Sequence, residues 1–203
     1  MAGATAEEIA WVIRDDRPGD HASEMIQAER TAQAIADEQK RHGPFEDMRR
    51  FADVITRSMA SVEGFGEDYV APEHGILHPA RLTIAAIRSF INQEQDQLRR
   101  GLEGVFKVLV VGGRCVVASF RPIEHSIIEQ FFMEHEEPDE ETAAQIGDPR
   151  RLRELYPLLG TDLDFAVRLV GPPISPSSVE VSRNSRARTG RAYVLEKVER
   201  RMP

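Results

Sequence analysis

The sequence predicts an α+β protein in which a helical N-terminal half precedes a small, mostly antiparallel sheet. Apolar residues between 45 and 62 recur at steps of three and four, which is the helical period. The stretch 105–122 holds two β-rich runs that meet at Gly112-Gly113. Residues 163–170 alternate apolar and polar side chains, as a strand with one wet face does. We expect helices first and strands later in the chain.

Two helices are predicted before residue 43. The segment Thr5-Ala6-Glu7-Glu8 matches a capping box, in which the Thr5 and Glu8 side chains each bond the other's backbone N–H. It should start a short first helix. A second helix, rich in Ala and Glu, should follow Asp16–Asp20 and end at Gly43-Pro44, because Gly and Pro stop helices.

The apolar positions of 45–62 form a seam that needs a partner, and the helix opened by Pro79 is a candidate. The seam could pair within the chain or between two copies. Between these helices, the long stretch 63–78 contains glycines and prolines and is predicted to be a packed loop. His74 and His78 have the i, i+4 spacing of a metal pair, but the neighbouring Pro and Gly residues oppose a helix, so no metal site is predicted.

The C-terminal half is predicted to contain a β-hairpin over 105–122, because paired glycines suit a tight two-residue turn. A short amphipathic helix should follow it and give way to an acidic linker. Asp148-Pro149 predicts another helix, with an N-cap followed by proline. Further strands are expected at 163–170, 179–182 and 192–198, for a sheet of four or five strands. We therefore expect a helical region over 1–104 and an α+β region over 105–203, which could also form one continuous domain.

Composition excludes some classes of function. The chain of 203 residues has a formal net charge of −8, which argues against coating nucleic acid or an anionic membrane. It contains no apolar run long enough to span a bilayer and no signal-peptide pattern at its N-terminus, so an intracellular, cytoplasmic protein is expected. Cys115 is the only cysteine, and we expect it to be a small buried thiol rather than a nucleophile.

The best candidate functional feature is a cluster of arginines predicted to lie on a loop between two strands. Their guanidinium groups suit phosphate oxygens, which makes nucleic acid or another phosphorylated ligand the preferred interpretation. The alternatives are a contact between subunits, with the acidic segment 124–142 facing the basic C-terminal segment, and plain solvation. The predicted phosphate-binding residues are Arg183, Arg186, Arg188 and Arg191.

No motif in the sequence predicts catalysis. There is no GxSxG or Cys–His pattern, and Gly112-Gly113 is followed by strand, not helix, which opposes a dinucleotide site. We therefore predict no catalytic residue, no cofactor and no metal, and the expectation leans against an enzyme.

The preferred prediction is a non-catalytic, homo-oligomeric binding or assembly protein that contacts RNA or DNA through the arginine loop, such as a viral or phage structural protein. One alternative is a purely protein–protein adaptor with acidic and basic segments pairing between subunits. The other is an enzyme with a pocket near the 63–78 loop.

Overall fold

The computed structural model describes residues 3–15, 22–60, 70–71, 75–76 and 80–200. The chain divides into two compact units, residues 1–94 and 95–203. The described residues contain nine α-helices and, in the second unit, a three-stranded antiparallel sheet. The α+β prediction is therefore confirmed. Among the described residues, no helix has the length and apolar character needed to cross a membrane.

The described residues of the first unit are mainly helical. Its capping box forms as predicted, since the Thr5 N–H donates to Glu8 Oε2 at 2.7 Å and the Glu8 N–H donates to Thr5 Oγ1 at 3.2 Å. Two strands of two residues each pair in an antiparallel manner. The elements are α1 (Ala6–Asp15), α2 (Ala22–His42), α3 (Met48–Ala60), β1 (Val70–Ala71), β2 (Gly75–Ile76) and α4 (Ala80–Ile91).

The predicted seam packs inside the chain over the part that the structure describes. Ile55 and Met59 are buried in one core with Ile9, Ile35 and Ile87. The first position of the helix does not share this burial, because the Met48 side chain is 60% exposed. The core of the first unit therefore joins α3 to α1, α2 and α4 without a second copy of the chain.

The described part of the second unit contains helices and one sheet. The elements are α5 (Glu94–Val108), β3 (Arg114–Ser119), α6 (Pro122–His135), α7 (Glu140–Ile146), α8 (Pro149–Leu155), β4 (Phe165–Leu169), α9 (Ser178–Arg183), a 3-10 segment (Ser185–Thr189) and β5 (Arg191–Glu199). The strand order is β3-β5-β4, and both neighbouring pairs are antiparallel. One face of this sheet packs on helices α5 and α6 through a core that includes Phe106, Phe131 and Tyr193.

The predicted hairpin over 105–122 is wrong. Residues up to Val108 belong to α5, because Leu102 and Phe106 lie four residues apart on a buried helical face and this burial outweighs the strand preference of the valines. The Gly112-Gly113 pair instead precedes β3 and is hydrogen-bonded to β5. The Gly112 N–H donates to the Lys197 carbonyl at 2.7 Å, and the Lys197 N–H donates to the Gly113 carbonyl at 2.9 Å.

Two other expectations about the second unit need correction. The predicted strand at 179–182 is α9, whose N-cap Ser177 accepts a hydrogen bond at 3.1 Å from the Glu180 N–H. The sheet of the second unit consequently has three strands over the described residues, not four or five. The prediction of an acidic linker is also wrong in part, since residues Glu140–Ile146 form α7 with Asp139 as N-cap. The strand predicted at 163–170 and the helix begun by Asp148-Pro149 are confirmed as β4 and α8.

Candidate functional site

The four predicted arginines lie on the surface of the second unit, but not on a hairpin tip. Arg183 ends α9, Arg186 and Arg188 lie in the 3-10 segment, and Arg191 begins β5. All four side chains are exposed. We call residues 183–191 the arginine segment. The four residues lie in sequence order along this exposed segment, whose conformation is mainly helical and not the predicted loop between two strands.

The backbone of the arginine segment is fixed by its own hydrogen bonds. Asn184 accepts a bond from the Arg186 N–H through its side chain at 3.1 Å, and its carbonyl accepts one from the Ala187 N–H at 3.0 Å. The Gly190 N–H donates to the Ala187 carbonyl at 2.8 Å, and the Ala187 side chain is buried. The small side chain of Ala187 thus anchors the segment, while its neighbours Arg186 and Arg188 project into solvent.

A buried histidine ties the arginine segment to the end of β3. His125 Nδ1 lies 2.8 Å from Ser119 Oγ, and His125 Nε2 lies 3.2 Å from the Thr189 carbonyl oxygen. Because a carbonyl can only accept, we assign the proton to Nε2, which leaves Nδ1 of the neutral ring to accept from the Ser119 hydroxyl. His125 and Ser119 are both buried. The ring therefore sets where the 3-10 segment sits against β3 and α6.

A second link joins Arg191 to helix α6. The hydroxyl of the buried Tyr193 donates to Glu129 Oε1 at 2.9 Å, and Arg191 Nη1 lies 3.8 Å from the same oxygen. Burial, followed by the bond to Glu129, raises the pKa of the Tyr193 phenol. The charge of Arg191 is thus partly balanced. By contrast, Arg183, Arg186 and Arg188 have no carboxylate within ion-pair distance in the described part of the chain.

The turn between β3 and α6 is also held in place. The Glu124 carboxylate accepts from the backbone N–H of Phe120 at 3.0 Å and of Arg121 at 3.2 Å. Gly190 approaches this turn closely, since a Cβ there would lie 3.1 Å from the Phe120 ring and 3.0 Å from the Ala187 carbonyl. A glycine at 190 lets the arginine segment lie against the end of β3.

Part of the acidic segment 124–142 forms ion pairs with arginines of the second unit. Glu129 pairs with Arg191, Glu134 pairs with Arg99, and Glu137 lies 3.4 Å from Arg200. The Arg200 guanidinium and the Glu137 side chain are both largely buried. The acidic side chains are therefore used, at least in part, for ion pairs within the second unit.

The other sequence candidates carry no site in the described structure. His74 and His78 lie outside the described residues, which contain no group of three or more side chains able to hold a metal. Cys115 is half-buried on the core side of β3, and burial raises the pKa of its thiol, so the reactive thiolate is disfavoured.

Sequence reasoning missed the part played by the histidines of α6. His125 and His135 are both buried, although no apolar pattern in the sequence marks them as core residues. His135 stacks between Phe131 and Phe165, and its Nδ1 lies 2.7 Å from the Phe131 carbonyl. One available signal was helical spacing, since His125 lies three residues before the buried Ile128 on the same face of α6.

Comparison with known proteins identifies the family. The model of the MraW methylase family matches residues 4–198. A protein of Acidovorax ebreus named ribosomal RNA small subunit methyltransferase H is 32% identical over 199 residues, which cover 98% of this chain and 54% of the relative. Proteins of the same name from Shewanella amazonensis and Cupriavidus pinatubonensis are 30% and 33% identical, again over 98% of this chain and over 55% and 53% of their own lengths.

These matches overturn the predicted function. The relatives are named as enzymes, so the interpretation as a non-catalytic structural or assembly protein is wrong, and so is that of a purely protein–protein adaptor. The expected pocket near the 63–78 loop involves residues that lie mostly outside the described structure. The chain spans about half the length of the curated relatives it matches. From residue 4 to residue 198 the chain fits one family model, and it belongs to the MraW methylase family.

Proposed function

We propose that this protein takes part in methylating the ribosomal RNA of the small subunit, in the cytoplasm where ribosomes work. The observation that carries the proposal is the match of nearly the whole chain, 98% of it, to proteins named ribosomal RNA small subunit methyltransferase H. Methyl transfer needs two things of a protein: a surface that holds the RNA and a site that holds a donor of an activated methyl group. The described residues fit the first requirement better than the second.

The described residues do not form a recognisable donor site on their own. Nucleotide-like cofactors are commonly held where a glycine-rich turn joins a parallel strand to a helix. Here Gly112-Gly113 joins helix α5 to strand β3, and a Cβ at Gly113 would lie 2.8 Å from the Val110 carbonyl, so the space beside it is filled by the chain itself. Within the described part, the sheet of the second unit is antiparallel throughout. We therefore assign no residue to the methyl donor.

The arginine segment has the side chains and the ordered backbone that binding to RNA phosphates requires. Three of its guanidinium groups, on Arg183, Arg186 and Arg188, are exposed and lack a carboxylate partner among the described residues. Their backbone is held by Asn184 and His125, so binding would order few additional groups. Guanidinium groups make paired hydrogen bonds to phosphate oxygens, which position RNA without reading its sequence. We assign RNA-backbone binding to Arg183, Arg186, Arg188 and Arg191.

Binding across a salt series tests this assignment. The chain is titrated with a labelled fragment of small-subunit ribosomal RNA, and the same titration is made with Arg186→Glu/Arg188→Glu. The matched control is Arg150→Glu/Arg153→Glu, which reverses two exposed arginines of α8. We expect affinity to fall as salt rises, and the 186/188 variant to bind at least about tenfold more weakly with a shallower salt dependence. The control should lose much less.

Equal losses in both double variants would show that only net charge matters, and the assignment to the arginine segment would fail. The catalytic part of the proposal is tested separately, by transfer of a labelled methyl group to small-subunit ribosomal RNA by the full-length protein. Absence of labelled RNA with the folded protein would contradict it.

A further inference from the structure

Two aromatic side chains meet on the surface of the first unit. Trp11 of α1 and Phe90 of α4 have ring centres 5.8 Å apart, and their ring planes cross at 83°. Although the rings contact each other, the two residues remain 51% and 52% exposed. Ile91, the next residue along α4, is exposed as well. We call Trp11, Phe90 and Ile91 the aromatic patch.

The helices that carry the aromatic patch are anchored in the core. Ile9 and Ile13, two residues before and after Trp11, are buried in the core of the first unit, and so is Ile87, three residues before Phe90. Each ring therefore projects from a helix that packs on the core with another face. A partner would meet rings that are already in place, so binding would order few additional groups. Exposed aromatic side chains held in this way are typical anchors of protein interfaces.

The face of α1 that carries Trp11 is acidic. Glu7 and Asp15 lie four residues before and after Trp11, on the same side of the helix, and all three residues are exposed. The composition of the whole unit agrees, since residues 1–94 contain 17 Asp and Glu but 10 Lys and Arg, a formal net charge of −7. Residues 95–203 contain 17 and 16, a net charge of −1. The negative charge of the chain thus belongs almost entirely to the unit with the aromatic patch.

The arginines nearest to the aromatic patch along the chain do not offset this acidity. Arg14 Nη1 lies 3.9 Å from Glu29 Oε1. Arg88 Nε lies 3.0 Å from Glu94 Oε1. Each of these positive charges is matched by a carboxylate. Because carboxylates repel phosphates, the aromatic patch is a poor surface for an RNA backbone and a good one for a cationic partner.

We infer that the aromatic patch docks a basic segment of a protein that is bound to the same ribosomal RNA. The inference rests on the proposed function, because proteins that neutralise RNA phosphates carry lysines and arginines. Such cationic side chains bind the faces of aromatic rings, best of all that of Trp, and their charges complement the carboxylates of Glu7 and Asp15. The two units then have different partners: the arginine segment of the second unit contacts RNA, and the aromatic patch of the first contacts a protein on that RNA.

Two other occupants are less favourable. An unpaired RNA base can stack on exposed aromatic rings. The phosphates on either side of that base would lie beside the carboxylates of an acidic unit, which costs free energy. A second copy of the chain, paired patch to patch, would bring together two units that each carry a net charge of −7. Both occupants therefore meet electrostatic repulsion that a basic protein segment does not.

Titration with a labelled peptide rich in lysine, arginine and leucine tests the chemistry of the aromatic patch. Trp11 is the only tryptophan of the chain, so its emission should change as the peptide covers the ring. By anisotropy of the label, we expect Trp11→Ala to weaken binding at least about tenfold and Glu7→Gln about two- to threefold. The matched controls Met48→Ala and Glu46→Gln, at exposed positions elsewhere in the same unit, should bind the peptide nearly as the native chain does.

A photoreactive side chain identifies the class of partner. Benzoylphenylalanine replaces Ile91, the protein is mixed with small ribosomal subunits, and the sample is irradiated; the same replacement of Met48 is the control. We expect cross-links from position 91 to a protein, and few from position 48. Cross-links from position 91 to RNA or to a second copy of this chain, or none at all, would overturn the inference.

The peptide titration can also overturn the inference on its own. Phe90→Ala keeps Trp11 as the fluorescent reporter and removes the neighbouring ring, so it should weaken peptide binding too. Binding that neither Trp11→Ala nor Phe90→Ala changes would show that the peptide is held by net charge alone, and the docking site would fail. Binding that requires both rings, without methylation of small-subunit RNA by the full-length protein, would contradict only the proposed function.

Discussion

The two units of the molecule differ in what their cores are made of. The core of the first unit consists largely of isoleucines and alanines on four helices, among them Ala32 and Ile35, which are fully buried. The core of the second unit is aromatic, with Phe106, Phe131 and Tyr193 all fully buried, and polar groups lie within or beside it. Small aliphatic side chains pack helices closely, whereas large rings leave edges and faces where a histidine or lysine can be accommodated.

The same difference extends to the polar side chains that each core accommodates. In the second unit, Lys197 is 8% exposed and places its Nζ 5.1 Å from the centre of the Phe165 ring, and His135 stacks on the same ring. Among the described residues of the first unit, the buried polar side chains, such as Thr31 and Thr83, are neutral.

Removal of the Phe106 ring from the core of the second unit should lower the free energy of unfolding the most. Phe106 is fully buried, with ring centres 5.6 Å from Phe131 and 6.0 Å from Phe165. We expect Phe106→Ala to lower the free energy of unfolding by about 3–5 kcal/mol, because a cavity replaces the ring. Denaturant unfolding measures this, and Val108→Ala, at a side chain 82% exposed, should change stability by less than about 0.5 kcal/mol.

A smaller loss is expected in the first unit when a seam residue is truncated. Ile55 is fully buried, and Ile55→Ala should cost about 2–5 kcal/mol in the free energy of unfolding, toward the lower end where neighbouring helices can close the gap. Because the seam packs within the chain, the effect should not depend on protein concentration. A midpoint that rises with concentration in the native chain but not in the variant would show that the seam also pairs between copies.

Loss of His125 should affect the arginine segment more than the sheet. His125→Ala leaves the Thr189 carbonyl and the Ser119 hydroxyl without this partner, which should cost about 1–3 kcal/mol. Hydrogen exchange should rise over residues 185–190. In Ser119→Ala the bond from Nε2 to Thr189 survives, so exchange there should rise less. Equal increases in both variants would mean that the ring positions the segment through packing rather than through this bond.

The first helix should respond modestly to loss of its cap. Thr5→Ala removes the hydroxyl that accepts from the Glu8 N–H, and we expect a loss of about 1 kcal/mol in unfolding free energy. Bonds to Thr5 also lower the pKa of the Glu8 carboxyl, and this lowering should be reduced in the variant. Circular dichroism during denaturation and carboxyl titration by NMR measure the two effects, and Glu7→Gln serves as the neighbouring control.

The smallest expected effect is on the stability of the folded protein at acid pH. Arg114 lowers the pKa of the Glu196 carboxyl, with help from Arg168 on the opposite strand. A carboxyl whose pKa is lower in the folded protein stabilises the fold above its unfolded pKa, and this contribution is lost as pH falls through the folded pKa. The native chain should therefore lose more stability than Glu196→Gln between neutral pH and about pH 3. Equal losses of stability in the native chain and in Glu196→Gln would show that the ion pairs of Glu196 with Arg114 and Arg168 contribute little to stability.

Elements specified by nearby residues could be predicted from the sequence. Helix α3 shows its apolar period directly, the capping box at Thr5 lies within four residues, and β4 alternates side chains along its own length. Helix α9 was also within reach of sequence reasoning, because Ser177 and Glu180 have the spacing of a capping box, although 179–182 was predicted as a strand.

Features that depend on distant partners could not be predicted in this way. The valines near residue 108 favour a strand locally, and only burial of Phe106 against Phe131 and Phe165 makes this stretch helical. His125 bonds a carbonyl 64 residues away, a separation that no periodicity reveals. The arginine segment was identified from its composition alone, but its link to β3 through His125 required the folded chain.

The single cysteine allows motion of β3 in the second unit to be followed by chemical labelling. Cys115 is the only thiol in the chain and is half-buried on the core side of β3, an edge strand of the three-stranded sheet. Because burial also raises the pKa of this thiol, a thiol reagent should label it more slowly than an exposed cysteine, and faster when β3 moves away from the helices behind it. A slower labelling rate on addition of a ligand would therefore indicate that the ligand reduces such motion, without any engineered probe.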